Sequence, residues 1–338
     1  MRWPWKRQRA NDQLVISWSG QTFSYVLARS HADGVTEVLK FGVERQSGRG
    51  AQDMARQLQH LGIKGYEARV MLLPEQYQLL QIEAPAVPSE ELRLAARYQI
   101  RGLLHTNIDD VTLDVMRVGD GQEKGVGHLF VVAAPNAVLR EVLELSDAMS
   151  WKVSVIDIQE SAQRNLQNAM AGREGHASAA LVCVEGQPAV LTISANDELF
   201  YARRFELPEG YLAGATESIK SLTPMSEYMA DFTDASVAPK VAATTADDDQ
   251  AKRFLVEVQR SLDLWDRSWV DLPLSSIRVY AGKRSEELSK WLTERLEQVV
   301  APMDVNALFV GFEGGAAEAR ARCLPLLGIL MRVESRKL

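Results

Sequence analysis

Two stretches of the chain share one pattern of apolar and polar positions. In the first, Leu14-Val15-Ile16 leads through Ser17-Trp18-Ser19-Gly20-Gln21 into residues 22–28. In the second, residues 180–184 lead through Glu185-Gly186-Gln187 into residues 189–193. An apolar run, a Gly-containing turn and a second β-branched or aromatic run read as two strands joined by a tight turn. A third extended piece follows each, over 36–41 and 199–207. Both halves therefore open on a β-meander, which implies a duplicated architecture with a cleft between the halves.

Along the first half, Met54, Leu58 and Leu61 recur at helical spacing before Gly62, and residues 67–73 read as a strand stopped by Pro74. A β-β-β-α-β order is the start of a mixed sheet with a helix packed on it. Residues 76–83 are extended. A helix over 90–104 follows, with Leu92, Ala95, Ala96, Ile100 and Leu103 on one face, then a hairpin of 110–118 with 128–134. A further helix begins at Pro135-Asn136. The segment from about 76 to 149 thus reads as a compact insertion of helix, hairpin and helix. Strand 151–158, an amphipathic helix over 160–170 (Ala162, Leu166, Met170) and a linker at 172–178 bring the half to its seam.

The second half carries a partly helical stretch over 212–233, interrupted by Pro224, and a loop at 234–250 poor in large apolar residues, read as flexible and exposed. Phe254, Leu255, Val258, Leu262 and Trp265 form one helical stripe. Strand 277–281, a helix over 286–300 capped by Ser285 (Leu288, Trp291, Leu292, Leu296, Val299), an apolar piece at 307–312 and a helix over 316–331 complete the chain. Pro325 is expected to kink or restart that last helix. The organisation is a tail (1–13), a first half (14–171) holding the insertion and a second half (172–338).

Composition narrows the function. A chain of 338 residues favours two domains, and a net charge of −7 argues against nucleic acid, whose phosphates need a positive surface. Cys183 and Cys323 lie in apolar segments without CxxC spacing and read as buried thiols of a reducing compartment. No run of about 18 apolar residues occurs, and the N-terminus lacks the apolar core of a signal peptide. It does interleave Trp3 and Trp5 with basic residues including Lys6 and Arg7. That composition suits an anionic membrane surface, but the favoured reading is a disordered basic tail, as chain termini commonly are.

The histidines (His31, His60, His105, His128, His176) share no metal-like spacing, and no P-loop, GxGxxG or GxSxG occurs. Carboxylate pairs such as Asp109-Asp110 fall in turns. The two hairpin turns and Val279-Tyr280-Ala281-Gly282-Lys283 are the one constellation with nucleotide-like logic, because backbone N–H groups in Gly turns and at a helix start can cradle phosphate.

The order of several degenerate motifs resembles the actin-like ATPase superfamily, specifically the PilM and GspL families and above all their MshI branch, which serves mannose-sensitive haemagglutinin (MSHA) pilus biogenesis. The motifs are Val87-Pro88-Ser89-Glu90-Glu91-Leu92 with Tyr98, residues 129–134, strand 151–158 leading to Ser161-Ala162, Tyr201-Ala202-Arg203-Arg204, Glu257-Val258-Gln259-Arg260-Ser261-Leu262, and Leu327-Gly328-Ile329-Leu330. The resemblance spans about residues 14–332. It implies an α/β actin-like (ribonuclease H-like) fold of two β-meander/α halves with an inserted α+β subdomain.

Such ATPases place an aspartate in each hairpin. Here Ser17 and Cys183 stand at those positions, Ser19 replaces a glycine, and the adenosine-side glycine pair is reduced to Ala281-Gly282 before Lys283. Mg²⁺ then lacks its hard oxygen anchor. The expectation is a vestigial nucleotide cleft (Ser17, Ser19, Gly20, Glu185, Gly186, Gly282, Lys283) with no catalytic residue, metal or cofactor. The competing readings are a nucleotide-binding actin-like ATPase or sugar-kinase relative, with Asp12 and Asp157 as the candidate acids, and a GspL-like cytoplasmic component of a type II secretion system.

By resemblance the partner is the cytoplasmic N-terminus of a PilN-like bitopic inner-membrane protein, contacted by the insertion (Leu92, Ala96, Tyr98), alongside other pilus platform proteins. The chain is then a cytoplasmic scaffold peripheral to the bacterial inner membrane. The membrane reading of the tail predicts that deleting residues 2–9 lowers liposome co-sedimentation; unchanged binding removes it.

Overall fold

The computed structural model describes residues 12–31, 35–118, 127–170, 176–207, 210–212 and 245–332. The basic tail, nearly all of the expected 212–233 helix and the first part of the 234–250 loop lie outside these. Contacts divide the chain into two compact units: 1–175 with 192–200 and 304–338, and 176–191 with 201–303.

In the first unit β1 (Asp12–Trp18), β2 (Thr22–Ser30) and β3 (Thr36–Arg45) form the antiparallel meander. Helix α1 (Gly50–Gln57) runs on as a 3₁₀ turn to Gly62, which closes it in the left-handed region at φ 69°. Strand β4 (Glu67–Leu72) pairs parallel with β1. The insertion supplies β5 (Gln78–Glu83), α2 (Leu92–Ile100), β6 (Val111–Val118) and β7 (His128–Pro135). Then come α3 (Asn136–Ala148), β8 (Lys152–Ile158), parallel to β4, and α4 (Gln159–Met170).

The second part of the chain holds β9 (Ala177–Val182), β10 (Ala189–Ala195), β11 (Glu198–Phe205), α5 (Thr245–Ser268), β12 (Leu274–Tyr280), α6 (Ser285–Leu296) and β13 (Val300–Pro302). From Asp304 the chain belongs again to the first unit, where β14 (Phe309–Val310) joins the edge of β3 and α7 (Ala317–Leu330) packs on β1 to β4. The sheets run β14-β3-β2-β1-β4-β8, β11-β10-β9-β12-β13 and β5-β7-β6.

β1 is buried from Leu14 to Trp18 because both its faces are covered. Leu14, Ile16 and Trp18 enter a core with Met54 of α1 and Val142 and Leu145 of α3. Val15 and Ser17 point to the opposite face, as alternation in a strand requires. Burial on both sides is why the strand reads as a continuous apolar run rather than an alternating one.

Several expectations are corrected. Helix 90–104 is shorter: α2 ends at Ile100, and Leu103 is 54% exposed, whereas Ala96 and Ile100 pack on the sheet beneath. α3 packs with the first sheet's core, so the insertion's own core is that of α2 and the three-stranded sheet. Residues 245–250 are the first turns of α5, not loop. The 286–300 helix stops at Leu296, where Glu297 turns left-handed, and Val299 is exposed. α7 passes through Pro325 without a restart, its residues 323–329 all buried.

The largest departure is α4. Amphipathic periodicity predicts one wet face, yet Gln159, Glu160, Ser161, Gln163, Arg164, Asn165 and Gln167 are buried together with Ala162 and Leu166. Part of that cover is α7, which crosses so closely that a methyl on Gly328 would stand 2.0 Å from the Ala162 carbonyl oxygen. Asn165 Nδ2 donates to the Gly328 carbonyl at 2.9 Å. Gly328→Ala is expected to destabilise the chain by about 3 kcal/mol through forced separation of the helices, read as a lower urea midpoint; an unchanged midpoint contradicts this packing.

Candidate functional site

Parallel strands present their carboxyl ends to ligands in open α/β sheets, so the turns at those ends were the expected site. In the first unit the β1 end carries Ser19 and Gly20. The Ser19 N–H donates to the Thr22 carbonyl at 3.2 Å, and Gly20 takes φ 78°. The β4 end folds beside it: Gln76 Nε2 donates to the Trp18 carbonyl at 2.8 Å, and its Oε1 accepts from the Leu73 N–H at 2.8 Å. A side chain at position 20 would stand 3.5 Å from Glu141 Oε1. A carboxylate there opposes phosphate at this turn.

Ser17 is buried and faces Ser24 across the hairpin. It offers a hydroxyl where a metal-organising acid would be needed. The two alternative acids are both engaged. Asp12 holds Arg29 at both oxygens, 2.7 and 3.2 Å. Asp157 holds Arg332 and accepts from the Ile158 N–H at 2.8 Å. At the β8 end Glu160 is fully buried and accepts from the Tyr77 hydroxyl, which itself accepts from the Gln159 N–H at 3.2 Å. Farther along α4, Gln167 Oε1 accepts from Thr192 at 2.7 Å and Ser194 at 3.1 Å. Sequence periodicity missed this polar row because it treats polar residues as outward.

In the second unit β9 and β12 run parallel, with Val182 opposite Tyr280, and the Cys183 N–H donates to the Tyr280 carbonyl at 2.8 Å. The Glu185-Gly186 turn and the Gly282-Lys283 turn therefore leave neighbouring strands at the same end. Gly186, at φ 71° in the third position of a turn closed by Gln187 N–H to the Val184 carbonyl, occupies the conformation a type II turn reserves for glycine. Gly282 is also left-handed, at φ 56°. Ser285 organises the second turn by accepting from the Ala281 N–H at 2.9 Å and donating to the Gly282 carbonyl at 2.8 Å. Arg284 N–H donates to the Ala281 carbonyl at 3.0 Å, so two donors of this turn serve the fold itself.

Arg284 stacks over Tyr211 at 4.0 Å from the ring centre and grips Glu287 at 2.7 and 3.0 Å. Burial pushes the Tyr211 hydroxyl well above its ordinary range. Cys183 is a fully buried thiol, raised by the same cause. It is a core side chain, not a hard ligand for Mg²⁺. Among the described residues no three acidic, histidine or cysteine side chains converge on a metal position.

Two quoted motifs meet each other instead. Arg203 of β11 pairs with Glu257 of α5, which also holds Arg260 at 3.3 Å and accepts from Ser261 Oγ at its carbonyl, 2.7 Å. Of the partner residues expected on the insertion, Leu92 and Ala96 are buried, Ala96 against the small sheet, whereas Tyr98 is 74% exposed. Trp3, Trp5, Lys6 and Arg7 lie outside the described residues.

No protein-family model and no curated protein matches the chain. Solved structures do. A PilM–PilN type IV pilus biogenesis complex superposes with TM-score 0.64 at 15% identity, over 95% of this chain and 99% of that one. A Bacteroides thetaiotaomicron protein of actin-like ATPase fold and unknown function gives 0.50 at 9% identity, over 91% and 97%. The cytoplasmic domain of EpsL, an inner-membrane component of the Vibrio cholerae type II secretion system, gives 0.41 at 15%, over 63% and 79%, too partial a superposition to carry weight. The fold is actin-like, with mixed α/β sheets.

Burial raises the Cys183 thiol and pushes that of Cys323 up to about 12, so both stay protonated at pH 8. Neither is expected to react with Ellman's reagent in the native chain, and both should react in urea. Native labelling of Cys183 would contradict its placement in the core.

Proposed function

We propose that this actin-like chain is a non-catalytic cytoplasmic scaffold of a type IV pilus platform of the MSHA kind, binding the cytoplasmic N-terminus of a PilN-like bitopic inner-membrane protein. The observation that carries the reading is the pairing of a full-length actin-like fold with phosphate turns that lack acids. Ser17 and Cys183 stand where carboxylates would organise Mg²⁺, Glu141 lies against Gly20, and Asp12 and Asp157 are already committed to Arg29 and Arg332. The fold's likeness over nearly the whole chain to the PilM–PilN complex supports the choice of partner.

For the peptide's seat we favour the insertion's sheet. β5 and β6 are its edge strands, and an edge offers main-chain hydrogen bonds to an added strand. β5 lies between two apolar clusters: Leu79 packs on the main core, Leu80 and Ile82 on the insertion's core. An extended peptide along β5 would therefore find apolar ground for alternate side chains on both faces. Leu92 and Ala96 are buried, and Ala96 helps to hold α2 on this sheet rather than touching the peptide.

Titrating the full chain with the partner's N-terminal peptide should give a dissociation constant below about 100 μM, and titration with Mg-ATP should give no heat. Absence of peptide binding at several times that concentration overturns the partner; magnesium-dependent micromolar ATP binding restores the ATPase reading. The type II secretion role rests on the same sequence resemblance, and a preference for that system's membrane peptide would select it.

A further inference from the structure

We propose that the outward face of α2 is a contact surface for an anionic phospholipid bilayer. α2 lies on the insertion's sheet through Ala96 and Ile100. On its opposite side Leu94 and Tyr98, one turn apart, are 58% and 74% exposed. Leu103, just past the helix end, is exposed as well.

Beside the Leu94–Tyr98 row runs a second one. Arg93, Arg97 and Arg101 recur every fourth residue, so they line one flank of the same helix. Arg97 is tied to Asp109 at 3.0 Å; among the described residues Arg93 and Arg101 form no ion pair. Three guanidinium groups in register are unexpected on a surface whose chain carries a net charge of −7.

The occupant follows from this chemistry. Guanidinium groups bind phosphate bidentately, and tyrosine and leucine beside them suit the headgroup–acyl boundary, where one end of a side chain is apolar and the other wet. The outer side of a single helix seated on a sheet is convex, which fits a flat bilayer better than a peptide. One helix face of this size binds lipid weakly, and stable association takes a second signal. The basic, tryptophan-bearing N-terminus is such a signal in the same sequence. The surface differs from the β5 edge proposed for the peptide, so either assignment can fail without the other.

The full chain, with and without residues 2–9, is sedimented with vesicles of equal parts phosphatidylglycerol and phosphatidylethanolamine, and with phosphatidylcholine vesicles. Salt-sensitive binding to the anionic vesicles alone is expected. In both backgrounds the pairs Arg93→Glu/Arg101→Glu and Leu94→Ser/Tyr98→Ser should each lower vesicle affinity about tenfold. Their thermal midpoints should match the wild type, as these side chains point outward. Peptide affinity should be unchanged by the arginine pair. The proposal is overturned if either pair sediments like the wild type, or if neutral vesicles bind equally. It is also overturned if the variants instead abolish self-association in sedimentation velocity or weaken peptide binding, which would assign the face to a second copy or to the peptide.

Discussion

The first unit depends on one crossing. α4 carries seven buried polar residues, and such groups are tolerated only when hydrogen-bonded. α7 supplies part of that satisfaction because Gly328 lets two backbones approach at the Ala162 carbonyl, and its own carbonyl then accepts from Asn165. The same helix fastens the sheet. The Cys323 thiol lies within reach of the Tyr25 and Gly42 carbonyls, 3.5 and 3.4 Å, and Arg69 donates to the Ile329 carbonyl at 2.9 Å. Arg332 closes on Asp157 directly after the helix. Removing one member of such a buried set leaves its partners unpaired, which costs more than the bond itself contributes.

That arrangement explains the uneven survival of the motifs. Ser161-Ala162 and Leu327-Gly328-Ile329-Leu330 resemble a family pattern and meet at this crossing. Arg203 and the Glu257–Ser261 motif meet as an ion pair in the second unit. Ser17 and Cys183, which the resemblance sets at the aspartate positions, are buried side chains that suit a strand. The glycines stay because their turns demand left-handed backbone at Gly20, Gly186 and Gly282, whether or not a ligand is present. The insertion presents two different surfaces: open strand edges and an arginine-flanked helix face.

Periodicity located most strands and helices within a few residues, since each strand needs an apolar face and each turn its glycine or proline. It erred where the outcome depends on what covers a segment. α2 stops at Ile100, although Leu103 continues the spacing. α3 looks like part of the insertion in chain order yet packs on Leu14 and Ile16. Of Leu92, Ala96 and Tyr98, all plausible contacts on a helical wheel, only Tyr98 faces out.

By itself the sequence determined the meanders and the turns, local consequences of residue type and spacing, and its resemblance to actin-like proteins gave the order of elements. The tertiary structure decided that the chain from Asp304 onward belongs to the first unit, that α4's polar face is interior, and that Asp12 and Asp157 are spent on arginines. Those outcomes rest on pairings between residues far apart in the chain, Asp157 with Arg332 and Ala162 with Gly328 among them. No local pattern encodes them, because burial is fixed by whatever packs on top.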